Sequence, residues 1–336
     1  MERLVLIIEQ IEEVKRFIKI DDFAHLRMAL LLLDNASEVL MYRVVVDELD
    51  LDDLYVKLFS FIRERVTDDN FEKVKDELKI KYELIPPKIR KAVKRFYDAK
   101  VDFLTERGEL EASLGQLLKS LHRYRNEAYH RDFLRKGTIR PTVQFLFEIV
   151  CDLLIILPPR MMSYGGEDNW SAFCQMYDLD SPFNITQINL KKIVERLRES
   201  ISIDSRYLAE MLCAQLEERI SVMEQAVQII HRDAPGGATI EEELIRIQFW
   251  NEFGWLPSVN DSDEFFNGYS PRYSLKDLSR WRQEASNLPK IESRLEIFNK
   301  FIELEFEIEP LEEMVYKVAN VIEHAIQDEI DRRRGK

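Results

Sequence analysis

The chain contains few residues that break helices. Its 336 residues include 10 glycines and 11 prolines. It also nearly lacks the alternation of polar and apolar residues that marks a half-buried strand, whereas apolar residues recur at helical spacing along most of its length. With 46% hydrophobic residues, a packed core can form. The sequence therefore predicts an all-α protein.

Disulfide, zinc and membrane-spanning patterns are missing as well. The cysteines Cys151, Cys174 and Cys213 form no CxxC pair, and their odd number predicts reduced thiols. The apolar runs 29–33 and 143–157 are shorter than the roughly 20 residues that span a bilayer. We therefore expect a cytoplasmic protein with no metal, no cofactor and no membrane contact.

The chain has no excess of positive charge. It carries 48 Lys and Arg against 62 Asp and Glu, a net charge of -14 with a pI near 5.1. Proteins that coat nucleic acid without specificity are usually basic. Any contact with nucleic acid is therefore expected at a local basic patch.

Breaker residues divide the helical pattern into two parts. The segment 160–186 contains Gly165-Gly166 and Ser181-Pro182 and has little periodicity, so we expect a linker or packed loop there. This division predicts a helical bundle with its N-terminal helix over 1–159 and a second helical domain over 187–336. In the first part, we expect helices over 1–19, 22–48, 50–66, 87–107, 109–130 and 142–157. In the second part, we expect them over 190–200, 205–231, 275–287 and after Pro289, with a capping box at Thr239 and Glu242.

A group of chemically active residues closes the helix predicted over 109–130. The six residues 125–130 read Arg-Asn-Glu-Ala-Tyr-His. His130 is the one of five histidines that follows an Arg at the motif's spacing, with four residues between it and Arg125 and six between it and Arg123. This pattern resembles the ribonuclease motif of the HEPN family, in which Arg is followed by four to six residues and then His. The order of helices around it over about 20–160 also resembles a HEPN bundle.

The resemblance implies a metal-independent endoribonuclease of the toxin or phage-defence type. In such a reaction the 2′-hydroxyl of RNA attacks the neighbouring phosphorus. His130 would move the proton near neutral pH, and the Arg125 guanidinium would stabilise the charge that develops on phosphate. Asn126 would orient the histidine or the phosphate. An antitoxin or regulatory protein is the further partner that this class implies.

Helix geometry makes dimerisation part of this hypothesis. On a regular helix, residues five apart such as Arg125 and His130 point about 140° away from each other. HEPN proteins resolve this by dimerising, so that two motifs form one composite cleft. The resemblance therefore implies a homodimer, or a pseudo-dimer if the C-terminal half forms a degenerate second bundle. A homodimer is preferred, because 187–336 contain no second motif of this spacing.

Two basic segments predict a phosphate-binding groove for RNA. One runs from 88 to 100, with Phe96 and Tyr97 interleaved, and the other runs from 119 to 140 and contains the motif. The alternative is that both are solvated faces paired with acids. The residues that we expect to contact RNA are Arg123, Tyr129, Arg131, Lys119, Lys91, Lys94 and Arg95.

Two other functions remain open at this stage. A HEPN-like protein can bind RNA or a nucleotide without cutting it, and a helical scaffold can carry the motif by chance. Asp34, Asn35 and Glu38 lie within an apolar helix and have two interpretations. They form a local or buried polar network, or they face the cleft and support the motif.

Overall fold

The protein is all-α in the part of the chain that the structure describes. This computed structural model describes residues 2–66, 70–71, 73–74, 82–130, 138–157, 171–179, 187–199, 201, 204–233, 239–254 and 268–334. At 2–3, 127–130, 171–172, 187–188 and 233 the description is limited to the backbone. These residues form twelve α-helices and one 3₁₀-helix, and none of them lies in a strand. The prediction of an all-α protein is confirmed for these residues.

The chain divides into two compact units, Met1–Ile203 and Asp204–Lys336. The sequence places the start of the second domain at 187, but the helix Gln187–Arg198 belongs to the first unit. The reason is its packing. Its described apolar side chains are buried, and the Arg198 guanidinium lies 2.6 Å from the Glu148 carboxylate and 2.8 Å from that of Asp152.

Eight helices form the described part of the first unit. They are α1 (Glu2–Ile20), α2 (Phe23–Arg63), α3 (Pro87–Val93), α4 (Tyr97–Glu106), α5 (Ala112–His130), α6 (Ile139–Ile156), α7 (Ser171–Tyr177) and α8 (Gln187–Arg198). Helix α2 lies at the centre, where it packs against α1 and α6 on one side and against α4 and α5 on another. Helix α5 buries an amphipathic stripe that includes Leu117, Leu118 and Leu121. This packing brings the motif helix against α2.

Helix α2 is longer than the sequence predicts. Two helices, 22–48 and 50–66, are expected, but one helix runs from Phe23 to Arg63. Nothing between the two predicted helices breaks the chain. Asp52 does not cap a new helix; it is 1% exposed, accepts the Ile85 N–H at 2.8 Å and pairs with Arg90. A buried carboxylate thus ties the segment before α3 to the middle of an uninterrupted helix.

The helix predicted over 87–107 is two helices. α3 ends at Val93 and α4 begins at Tyr97, with Phe96 in extended backbone geometry between them. The break places neighbouring side chains in opposite environments. Tyr97 is buried, whereas Phe96 is 62% exposed.

Helices α4 and α5 approach each other closely at Gly115. A Cβ atom at this buried position would lie 2.8 Å from Thr105 Oγ1 and 3.2 Å from Val101 Cγ1. Thr105 Oγ1 donates a hydrogen bond to the Val101 carbonyl, so it is not free to move away. The glycine is therefore explained by helix packing.

We expect Gly115→Ala to lower the free energy of unfolding by about 1 kcal/mol. Overpacking costs about 1–3 kcal/mol, and the higher helix propensity of alanine offsets about 1 kcal/mol of it. Urea denaturation measures the change, with Gln116→Ala at the exposed next position as the control. A more stable Gly115→Ala protein would contradict the close approach.

The second unit contains four described α-helices. They are α9 (Ser205–Asp233), α10 (Ile240–Phe253), α11 (Leu275–Asn287) and α12 (Arg294–Arg333), with a 3₁₀-helix, Leu288–Lys290, after α11. The predicted capping box of Thr239 and Glu242 is confirmed, and α11 has the predicted bounds. Trp281 fills the core at 1% exposure. In the described parts of both units, no helix is long and apolar enough to cross a membrane.

Candidate functional site

A buried carboxylate on α2 holds two residues of the motif helix. Asp34 is 1% exposed. Its two carboxylate oxygens lie 2.9 and 3.1 Å from His122 Nδ1, and Oδ2 lies 3.0 Å from Arg125 Nε. Burying a carboxylate is costly unless it is paired and hydrogen-bonded. Asp34 therefore fixes His122 and Arg125 next to each other, although it lies 88 residues from the histidine.

The His122 ring is fixed both by Asp34 at Nδ1 and by an aromatic ring that packs on its face. It stacks on Tyr97 with ring centroids 3.9 Å apart and an interplanar angle of 6°. The Tyr97 hydroxyl lies 3.1 Å from Ser37 Oγ, and Ser37 Oγ donates to the Asp34 carbonyl at 2.7 Å. Burial raises the pKa of Tyr97, and the Asp34 carboxylate raises it further, so this hydroxyl stays neutral.

Arg125 is fixed but not fully buried. Its Nη1 donates to Asn126 Oδ1 at 2.8 Å, while Nε lies within ion-pair distance of Asp34 and makes no hydrogen bond among the described contacts. Its side chain is 27% exposed. A guanidinium has five N–H donors in a rigid plane, so donors remain that these two neighbours do not use. The arrangement presents an oriented cation near the end of α5.

The other predicted motif residues are described to different extents. The backbone of Tyr129 and His130 forms the last turn of α5, and their side chains lie outside the described residues. Arg131 lies outside them entirely. Arg123 is partly exposed on α5, and Lys119 pairs with Asp102 of α4.

No protein-family model, curated protein or solved structure matches this chain. The functional argument therefore depends on the chemistry of the residues. In the described ranges, no cluster of three or more His, Cys, Asp or Glu side chains is arranged to hold a metal ion.

The three polar residues of the apolar α2 segment face different partners. Asp34 contacts His122 and Arg125 of the motif helix. Asn35 instead accepts from Gln10 of α1 at 3.3 Å, and Glu38 lies 2.9 Å from Lys100 Nζ. Of the three, Asp34 alone supports the motif in the described contacts.

The basic segment before α4 divides into paired and exposed cations. Lys100 is 2% exposed and paired with Glu38, and Arg90 pairs with Asp52 and Asp53. These two cations are structural. The exposed set is the basic corner, defined as Lys91, Lys94, Arg95 and Phe96.

The basic corner adjoins, along the chain, the Asp34 site, which we define as Asp34, Tyr97, His122 and Arg125. Phe96 immediately precedes Tyr97, whose ring lies against His122. An exposed aromatic ring and three cations therefore precede, along the chain, the residue that packs on His122. Sequence reasoning identified the charges, but it missed His122.

Proposed function

We propose that this protein is a metal-independent endoribonuclease of the HEPN type, acting in a toxin or phage-defence role. The observation that carries the proposal is the ion pair between Arg125 and the buried Asp34 of α2. Arg125 lies on α5, the helix that ends at His130. A surface arginine in a helix end needs no buried partner. An arginine that must bind a phosphate in one orientation needs a partner that fixes its guanidinium.

Orientation of the cation matters because of how RNA is cut without a metal. Attack by the 2′-hydroxyl gathers negative charge on the phosphate oxygens in the transition state. A donor already fixed in place stabilises this charge without reorganising during the reaction. Arg125, which forms an ion pair with Asp34 and donates from Nη1 to Asn126, is such a donor.

His130 supplies proton transfer in this proposal. It follows Arg125 by five residues on α5, so the two point about 140° apart on one helix. The HEPN resemblance resolves this with a homodimer in which motifs of two copies form a composite cleft. The second unit, 204–336, then serves recognition or regulation by an antitoxin or other protein.

The basic corner supports RNA as the substrate. Phosphates of a single strand can contact Lys91, Lys94 and Arg95, and a base can stack on Phe96. In the proposal, Arg123, Tyr129 and Arg131 are further residues of the motif that contact RNA. Lys119 contributes less, because Asp102 already pairs with it.

The test is cleavage of a mixed-sequence RNA oligonucleotide in EDTA. We expect the wild type to cut it to a 2′,3′-cyclic phosphate and a 5′-hydroxyl, and to leave the all-2′-deoxy oligonucleotide intact. His130→Ala should lose about 100-fold or more in rate, the size of a general acid–base contribution. His324→Ala, an exposed histidine of α12, should match the wild type.

Three results would contradict the proposal. They are cleavage of the deoxy oligonucleotide, a requirement for a divalent cation, and equal rates for wild type and His130→Ala. RNA bound but not cut would favour the non-cleaving alternative, to which the basic corner is equally suited.

A further inference from the structure

His122 occupies a position that the Arg125–His130 motif does not explain. It precedes Arg125 by three residues on α5, which places both on one face of the helix. Both contact Asp34: His122 Nδ1 lies near both carboxylate oxygens, and Arg125 Nε lies near Oδ2. Within a single chain, His122 is therefore a histidine already next to the proposed phosphate-binding arginine.

The contact with Asp34 determines which ring nitrogen carries the proton. Nδ1 lies within hydrogen-bond distance of both carboxylate oxygens, and an ionised carboxylate only accepts, so Nδ1 is the donor. In the neutral ring, Nε2 then holds the lone pair. An aspartate that orients a histidine in this way also stabilises the imidazolium that forms after proton transfer.

The ring edge opposite Asp34 makes no hydrogen bond among the described contacts. The His122 side chain is 17% exposed, and none of its described contacts uses Nε2. One ring face is covered by Tyr97. The ring is thus fixed in its plane, with its basic nitrogen directed away from Asp34.

We propose that His122 is a catalytic base of this site, which takes the proton of the attacking 2′-hydroxyl. This inference rests on the proposed function. The 2′ O–H bond breaks and its proton moves to His122 Nε2, while the 2′ oxygen forms a bond to phosphorus. The bond from phosphorus to the 5′ oxygen breaks, and His130 in its protonated form gives that oxygen a proton. Arg125 balances the charge on the non-bridging oxygens, and proton exchange with water restores both histidines.

The test compares substitutions that separate proton transfer from packing. His122→Asn keeps a donor for Asp34 but carries no titrating ring, and His122→Ala leaves a space on the Tyr97 face. Single-turnover cleavage of RNA in EDTA is measured for both, with folding checked by circular dichroism. We expect each variant to lose about 100-fold or more in rate.

A small-molecule rescue sharpens the test. Imidazole added to His122→Ala should restore part of the rate, because it can stack on Tyr97 and accept a proton. 1,2,4-Triazole has nearly the same shape but is a much weaker base, so it should restore little. The matched control is His25→Asn, which alters another Asp–His pair, an exposed one at the start of α2 where His25 Nδ1 lies 2.7 Å from Asp22.

Each contrary outcome has a separate meaning. If His122→Asn cuts RNA as fast as the wild type, His122 is not the base, and the endoribonuclease proposal stands. Equal rescue by imidazole and triazole would show that the ring only fills space, which also overturns the inference. A wild type that does not cut RNA in EDTA overturns the proposed function and this inference together.

Discussion

Arg125→Ala is expected to lower the rate of RNA cleavage in EDTA by about 100- to 1,000-fold, the loss typical of removing one fixed donor for transition-state charge. The substitution removes the guanidinium that Asp34 and Asn126 hold in place. Because the side chain is partly exposed and Asp34 keeps its contact with His122, the fold should survive. Single-turnover rates on the RNA oligonucleotide, with thermal unfolding measured in parallel, check both expectations.

Two further variants show whether orientation or charge alone is needed. Arg125→Lys keeps the charge but loses the planar fork, so we expect it to recover little of the rate. Asp34→Asn removes the carboxylate that orients Arg125 and should lower the rate while leaving the guanidinium present. The control is Arg206→Ala, an exposed arginine whose partner Glu210 is also exposed. Full activity of Arg125→Ala would contradict the site.

The local features of the fold follow from short-range sequence patterns. The motif helix, the capping box at Thr239 and the bounds of α11 each depend on residues within one helix. The continuity of α2 and the break before Tyr97 could not be predicted in this way. Both depend on tertiary contacts. Asp52 accepts a hydrogen bond from Ile85 N–H and pairs with Arg90, whereas Tyr97 stacks on His122 and its hydroxyl lies within hydrogen-bond distance of Ser37.

The sequence pattern pointed to Arg125 of the candidate site, but it did not predict the contacts of Asp34 with His122 and Arg125. Arg125 was recognised from its spacing to His130, and such a spacing is read directly from the order of residues along the chain. The contact between Asp34 and His122 spans 88 residues and leaves no periodic signal. Two hints were present: a carboxylate within an apolar helix, and a histidine one helical turn before Arg125. Combining them requires knowing that α2 packs on α5.

The basic segments illustrate a second limit of sequence reasoning. A run of Lys and Arg has the same appearance whether its charges are free or paired. The structure separates Lys100 and Arg90, which are neutralised by carboxylates, from the exposed cations of the basic corner. The expectation of a phosphate-binding surface therefore narrows from two whole segments to the corner and the motif end of α5.

In the second unit, Arg219→Met is expected to lower the free energy of unfolding by about 3–5 kcal/mol, the cost typical of removing one partner from a buried ion pair. Arg219 of α9 contacts the carboxylates of Glu305 and Glu312 on α12, and its Nη2 lies 2.6 Å from Glu312. Glu305 is 0% exposed, and the arginine side chain is 11% exposed. Without the guanidinium, the buried Glu305 carboxylate loses the positive charge that Arg219 brings to it.

Urea denaturation followed by circular dichroism measures this loss. Arg206→Met is the matched control on the same helix, because its ion pair with Glu210 is exposed on both sides and such pairs contribute about 0.2–1 kcal/mol. The double variant Arg219→Met with Glu305→Leu should recover most of the stability, since apolar replacement of a buried pair is often neutral or stabilising. If Arg219→Met were no less stable than Arg206→Met, the ion pair would not hold α9 to α12.

A separate measurement, RNA cleavage by the double variant, tests whether a change in the second unit alters the activity of the Asp34 site.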